Sequence, residues 1–369
     1  MAIVNKAYKC RLYPDKNQQV LLAKTFGCTR KVYNLMLEET NRLITKNGQI
    51  PSINPRKYFK DYPYLDEVDY YALYTERFHL SNAFKAYRKD KGKIPKFKSR
   101  KKLRMSYTTC NQNGSISLEE GFVILPIIGK VRIRGQRMAP KDWKLKTATV
   151  SMDSDGRYYV AFLYEYVMDI RQVPISDNAI GLDYKADGLY MASTGKGPQG
   201  IQRFFRRKEH LLARVQRLLT LKVPGSKSYL KLKRRIGRIH ARIANQRRDY
   251  LHKVSTQIAN SFDIVCVENL DMKEISAKGS HHGKSTMDNG YGSFLWMLSY
   301  KLKDRGKYFV KVNRYFPSTQ ICSRCGRRKK LLLSERIYRC ICGLEIDRDH
   351  NAAINIRNEG LRLLKAGKA

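Results

Sequence analysis

Acid is scarce in this chain beside base. Its 369 residues include 32 Asp+Glu against 73 Lys+Arg, a formal net charge of +41. A surface so short of negative charge repels itself and excludes cationic partners; a polyanion, nucleic acid foremost, is the expected counterpart. Long apolar runs are missing as well. No stretch of 18 or more apolar residues occurs, which excludes a membrane-spanning helix, and the opening MAIVNKAYKCRLYP is too polar for a signal peptide. The expectation is a soluble, cytoplasmic protein with no membrane partner. Repeats of 20–50 residues and low-complexity tracts are absent too, so neither a solenoid nor a disordered tail explains the charge. What is present is enough apolar material, 42% of residues, for packed cores, with 24 Tyr and 13 Phe that set the chain apart from a packaging protein. Its length points to two or three domains.

Residues 1–177 read as one region. VNKAYKCRLYP has the pattern of a strand, KNQQVLLAKTFGCTRKVYNLMLEETNRLI that of a long amphipathic helix, and 70–88 that of a second helical run. Short strand signals follow in GFVILP and GKVRIRG, then a hairpin, TATVSMDSDGRYYVAFLYEY, turning at Asp155-Gly156. A small β-barrel with a helical insertion at about 15–105 fits this order. Within it, residues 91–104 carry eight Lys/Arg and no acid. Such a run is often a solvated loop. Here Phe97 and Tyr107 are interleaved with Lys96, Lys98, Arg100, Lys101 and Lys102, cations for phosphates and rings for bases.

RQVPISDN, at about 171–178, reads as a linker, after which strands alternate with long helices. Residues 201–253 hold 17 Lys/Arg and two acids. Leu211, Val215 and Leu218 before the Pro224-Gly225 turn, and Leu232, Ile236, Ile239 and Ile243 after it, keep helical spacing. This predicts a helical hairpin over about 201–255 with an apolar seam and a basic outer face, where Arg234, Arg235, Arg247 and Arg248 are candidates to grip a phosphate backbone.

In a chain poor in acids, their positions matter. Asp183 in NAIGLDYKADGLYMAS and Glu268 in FDIVCVENLDM each follow an apolar, strand-like run; Asp347 and Asp349 open a helix in CGLEIDRDHNAAINI. Singly, such residues are usually turn formers or caps. Gathered at one sheet edge they would repel one another unless cations neutralised them. Two Mg²⁺, or Mn²⁺, would do so while clamping both reacting oxygens of a phosphodiester. Cys322-x-x-Cys325 and Cys340-x-Cys342 form a separate set, and four thiolates suit one closed, structural Zn²⁺ site in a ribbon at about 316–345. Its second knuckle is a residue tighter than a CxxC. Arg324, Arg327, Arg328, Lys329 and Lys330 make the ribbon basic.

GLDYKADGLYMAS, VCVENLDM, YFPSTQICSRCG and CGLEIDRDHNAAINI, in that order, resemble the TnpB proteins of insertion sequences, RNA-guided DNA endonucleases similar to ancestors of the type V CRISPR effectors. KCRLYPDKNQQ, PKFKSRKKLRMSYTT, GSKSYLKLKRRIGRIHARIANQRRDYLHKVS and MDNGYGSFLWMLSYKLKDRGK extend the likeness over nearly the whole chain. The resemblance implies an α/β multidomain protein: residues 1–177 as a β-barrel wedge domain with a helical recognition insertion, and 178–369 as an RNase H-like RuvC nuclease domain with the zinc ribbon inserted. It implies catalytic carboxylates at Asp183, Glu268 and Asp349, the last chosen over Asp347 by its spacing to Asn351. It also implies a guide RNA from the transposon end, a double-stranded DNA target beside a short motif, a monomer within the ribonucleoprotein, and a place at the prokaryotic nucleoid. Two other readings use the same residues: a nuclease-inactive RNA-guided repressor, and an accessory protein of a transposase.

Overall fold

The computed structural model describes residues 2–47, 51–89, 93–99, 105–135, 139–140, 142–200, 203–276, 283–332 and 334–368. The chain divides into two compact units, one of residues 1–168 with 222–238, the other of 169–221 with 239–369. The sequence places the first boundary at 177/178 and the whole basic hairpin in the second region. The structure divides at 168/169 and groups 222–238 with the first unit. The packing reason is Gly237: a Cβ there would lie 2.5 Å from the Ser154 carbonyl oxygen, so only glycine lets the helix backbone rest on that turn.

The first unit opens with strand β1 (Ala2–Tyr13) and helix α1 (Lys16–Asn47), followed by α2 (Tyr70–Tyr74) and α3 (Glu76–Arg88). The single helical run expected over 70–88 breaks at Thr75, whose hydroxyl donates to the carbonyls of Ala72 (3.1 Å) and Thr108 (2.5 Å). Strands β2 (Met105–Cys110), β3 (Ser117–Glu119), β4 (Phe122–Leu125), β5 (Gly129–Arg134), β6 (Lys144–Met152) and β7 (Tyr158–Met168) join β1 in a seven-stranded antiparallel sheet, ordered β2-β6-β7-β1-β5-β4-β3. The β6–β7 hairpin turns at Gly156, whose φ of 80° suits glycine. Strand alternation sends Leu12, Val123, Val131, Val150 and Phe162 into one core that Leu22 and Phe26 of α1 cover.

The second unit holds β8 (Ala179–Lys185), β9 (Leu189–Ala192), α4 (Arg206–Thr220), α5 (Lys227–Ser261, its residues from 239 on), β10 (Ile264–Glu268), α6 (Met272–Ile275), α7 (Gly283–Asn289), α8 (Tyr291–Lys303), β11 (Tyr308–Val312), the short strands β12 (Ile337–Arg339) and β13 (Glu345–Asp347), and α9 (Arg348–Lys365). Its main sheet runs β11-β10-β8-β9, with β8, β10 and β11 parallel and β9 antiparallel. β8 and β10 read as unbroken apolar runs because both faces are covered. One face packs on Leu251, Ile258, Phe294 and Leu298 of α5 and α8, the other on Ile356 of α9. The hairpin helices form as the spacing predicts, but with a shifted face: Leu212 and Val215 are buried, while Leu211 and Leu218 are exposed. No helix among the described residues is long and apolar enough to cross a membrane.

Candidate metal and nuclease centre

The edge where β8 and β10 end is built by glycine. A Cβ on Gly181 of β8 would lie 2.1 Å from the carbonyl oxygen of Ala353, and one on Gly360 of α9 would lie 2.3 Å from Cys266 Sγ of β10. Helix α9 therefore lies directly on the sheet. Side chains alternate along a strand, so Asp183, two residues past Gly181, shares the α9 face, and Glu268, two past Cys266, does too. The strands are parallel with Leu182 opposite Val267, which puts Asp183 and Glu268 side by side one step on. Asp349 comes from the first turn of α9.

The structure thus brings the three acids together electrostatically. Asp183, 8% exposed, is held well above the usual carboxylate range, first by burial and then by the charges of Glu268 and Asp349; Arg348 and Lys185 pull the other way. Burial raises Glu268 as well. Lys185 Nζ lies 3.4 Å from Asp349 Oδ2, and Arg348 Nε 3.7 Å from its Oδ1. Asp347 is committed elsewhere: its Oδ1 accepts the His350 backbone N–H at 2.9 Å and caps α9.

A buried carboxylate flanked by two others carries a negative charge excess that divalent cations relieve, and all-oxygen donors suit Mg²⁺ or Mn²⁺. Among the described residues the four cysteines are the group whose potential ligand atoms all lie within 4.8 Å of one another, so the carboxylates are spread more widely.

The cysteines fit a different ion. Cys322 and Cys342 Sγ are 3.6 Å apart, as are Cys325 and Cys340 Sγ. A tetrahedron of thiolates at a Zn–S distance of about 2.3 Å has edges of ~3.8 Å, so this set can bind a structural zinc, compact second knuckle included. Gly326 and Gly343, with φ of 76° and 84°, allow the two knuckle turns. Burial opposes ionisation of Cys322, but the backbone N–H groups of Cys325 and Arg324 outweigh it and bring the thiol down to about 7.

Two asparagines absent from the sequence-based site list join the ribbon to the acids. Asn351, fully buried, donates to the Ile321 carbonyl (2.7 Å) and accepts the Ser323 N–H (3.0 Å); Asn355 donates to the carbonyls of Ser318 (2.8 Å) and Ile321 (2.7 Å). They fasten the first knuckle to α9 within two turns of Asp349. Their signal in the sequence was polarity inside the NAAINI run, where an apolar core residue would be the default.

The candidate nucleic-acid contacts fare less evenly. Tyr107 cannot stack on a base: the inward face of β2 carries it into the first unit's core, 2% exposed and 5.7 Å from the Phe26 ring. Lys98 is engaged internally, 2.5 Å from buried Glu76 and over the Tyr33 ring. Arg247 donates to the Met287 carbonyl at 2.7 Å. Lys96, Arg234, Arg235 and Arg248 are exposed. Arg100, Lys101 and Lys102 lie outside the described residues.

Three family models match the chain: a Cas12f1-like TNB domain over residues 291–356, a probable transposase over 161–278, and a helix-turn-helix domain over 1–49, a stretch that here forms β1 and α1. A Streptomyces pristinaespiralis protein named "Putative RNA-guided DNA endonuclease" is 33% identical over 380 residues, covering 100% of this chain and 92% of its own. An Escherichia coli protein of like name, InsQ, is 28% identical over 386 residues, 98% and 94% of the two chains. A TnpB-like protein of Acanthamoeba polyphaga mimivirus is 30% identical over 230 residues, 59% of this chain and 44% of its own. Among solved structures, a protein in a Cas12f1–sgRNA–target DNA complex has the same fold, with a TM-score of 0.62, 14% identity, and coverage of 96% of this chain and 99% of that one.

Proposed function

The chain belongs to the TnpB family, and on that premise we propose that it is an RNA-guided endonuclease that cuts double-stranded DNA by hydrolysis at Asp183, Glu268 and Asp349. The observation that carries this reading is the convergence of those acids at one sheet edge, with Asp183 raised by burial and by the other two. A sheet with three parallel strands and an antiparallel edge, covered by α9, supports assigning the second unit as an RNase H-like RuvC domain. Seven antiparallel strands around one core support a wedge-type barrel for the first.

Two Mg²⁺, bound there, would supply an activated water and charge stabilisation for the leaving 3′-oxygen. The chain's residues do the rest. Asp183 on β8, Glu268 beside it on β10 and Asp349 from the first turn of α9 would hold the ions. The Asn351 and Asn355 bonds tie α9 to the ribbon, so the angle at which Asp349 enters is set by the zinc knuckle. Lys185 and Arg348 hold the Asp349 carboxylate while no ion does. The exposed basic residues would follow the phosphates of a guide RNA and its DNA target, sequence being read by pairing with the guide. The protein would act as one copy per ribonucleoprotein, at the nucleoid of a prokaryotic cell.

The test is to express the chain with its flanking transposon end, sequence the RNA that copurifies, and supply a plasmid matching that guide. A discrete RNA from the transposon end and Mg²⁺-dependent double-strand cleavage are expected. A random RNA sample, or no cleavage at any flanking motif in a randomised library, would contradict the proposal.

A further inference from the structure

Gly27 stands in the interior of α1, where glycine weakens a helix relative to alanine. Neither of the usual reasons for glycine applies. The position has ordinary helical geometry, and no atom of the described residues lies within 4 Å of the place a Cβ would take. At Gly181 and Gly237, by contrast, backbone fills that place. At Gly27 the space is open. It is the floor of a groove of about 560 Å³ in the first unit, walled by Lys24, Arg30, Lys31 and Asn34 of α1 and by Tyr64 and Glu67 of the short 3₁₀ turn Pro63–Glu67.

The walls are positive and carry rings. Lys24 is engaged, 2.6 Å from Glu67. Arg30 makes no hydrogen bond or ion pair among the described residues. Lys31 Nζ lies 4.3 Å from the centre of the Tyr62 ring, a contact that leaves its charge unneutralised. One acid among three cations leaves the groove a net cation. Tyr64, edge-on to Tyr62, is 45% exposed, so that, unlike Tyr107, it can meet a base. Asn34 adds more of the same chemistry. Its Nδ2 donates to the Lys98 carbonyl (3.0 Å) and its Oδ1 accepts the Lys98 N–H (2.8 Å), which brings the exposed Lys96 and Phe97 beside the groove.

We propose that this groove binds a single-stranded stretch of RNA, its phosphates on Arg30 and Lys31, one base against Tyr64, and its backbone close over Gly27. A duplex hides the faces of its bases, so exposed rings set among cations suit an unpaired strand. Glycine is the residue that lets another backbone approach most closely. The inference rests on reading the chain as an RNA-guided protein.

Full-length wild type, Gly27→Leu and Arg30→Gln are compared for melting temperature without RNA, and for affinity toward a labelled oligouridylate and a mixed-sequence DNA duplex over a range of salt. Leucine fills the groove, removes no charge and favours helix, so Gly27→Leu should melt no lower than wild type. Its oligouridylate affinity should fall about 5–150-fold, the loss of one stacked base. In Arg30→Gln the slope of log affinity against log salt should drop by about 0.7, one phosphate contact. Duplex binding is expected unchanged in both. Unchanged oligouridylate affinity in Gly27→Leu, or a lower melting temperature, overturns the groove; loss of duplex binding instead of oligouridylate binding overturns its assignment to RNA. If no discrete RNA copurifies with wild type while Gly27→Leu still weakens oligouridylate binding, the guided reading fails and the groove stands. If a discrete guide copurifies and Gly27→Leu binds oligouridylate as wild type does, the guided reading stands and the groove falls.

Discussion

Replacing Asp183 with asparagine lowers target cleavage by at least about 10³-fold and at the same time raises the melting temperature of the metal-free protein. The two effects have one cause. In the folded chain Asp183 is buried beside Glu268 and Asp349, so its proton is held more tightly than in the unfolded chain. Below the ordinary carboxylate range, near pH 4, the group is neutral in both states and costs nothing. As pH rises, the unfolded chain releases its proton first, and stability falls until the raised folded pKa has been passed. Asparagine has no proton to release. The stability difference between Asp183→Asn and wild type, measured in EDTA, should therefore widen as pH rises above about 4. In a unit of this size each kcal/mol of relieved repulsion appears as ~2–4 °C. Saturating Mg²⁺ should shrink or reverse the difference, because ligand binding to the wild-type folded state adds stability that the variant lacks. A variant that loses cleavage and is also less stable in EDTA at neutral pH would show Asp183 to be a structural residue.

The largest effect on folding is expected at Gly181. An alanine Cβ there would meet the Ala353 carbonyl oxygen at 2.1 Å and the Arg357 nitrogen at 2.7 Å, both backbone atoms that no rotamer change can move. Gly181→Ala should destabilise the second unit by about 3 kcal/mol or more, at or beyond the upper end for overpacking. Whatever protein remains folded must lift α9, and with it Asp349. A shift of ~1 Å in a catalytic group can cost 10²-fold in rate, so residual cleavage should fall further than residual stability. Gly292→Ala is the control. That residue is exposed on α8, with Met272 Cγ 3.8 Å from the added carbon, and alanine there should be neutral or stabilising by up to ~1 kcal/mol. Denaturation followed by circular dichroism separates these outcomes; equal stabilities for the two variants would mean that α9 does not bear on β8 as described.

How much of this was legible beforehand depends on the kind of signal. Asp183 and Glu268 stood out as candidates because each is the first charge after an apolar run, and a parallel strand covered on both faces writes such a run without interruption. The cysteines could be found because thiolate ligands must lie a few residues apart on tight turns. Tyr107 was misread because an aromatic among cations looks like a stacking surface, whereas the alternation of β2 turns that ring inward, a fact set by which face of a strand meets the core. Lys98 is exposed, but its pairing with Glu76 was not legible, because that partner lies 22 residues away on another element. The shifted face of α4 had the same origin: a heptad-like spacing leaves neighbouring stripes nearly equivalent, and the partner surface chooses between Leu211 and Leu212. Asn355 was visible only as a polar letter in an apolar stretch, and Asn351 only as the spacing mark for Asp349. Their meaning needed the ribbon they hold.

Anomalous diffraction from Mn²⁺ in crystals of the ribonucleoprotein bound to an uncleaved DNA target addresses the acidic centre most directly. Two peaks ~3.5–4 Å apart, one shared through Asp183 and flanked by Glu268 and Asp349, are the expected result. No peak at that edge, with Mn²⁺ and an intact scissile phosphate both present in the crystal, would contradict it.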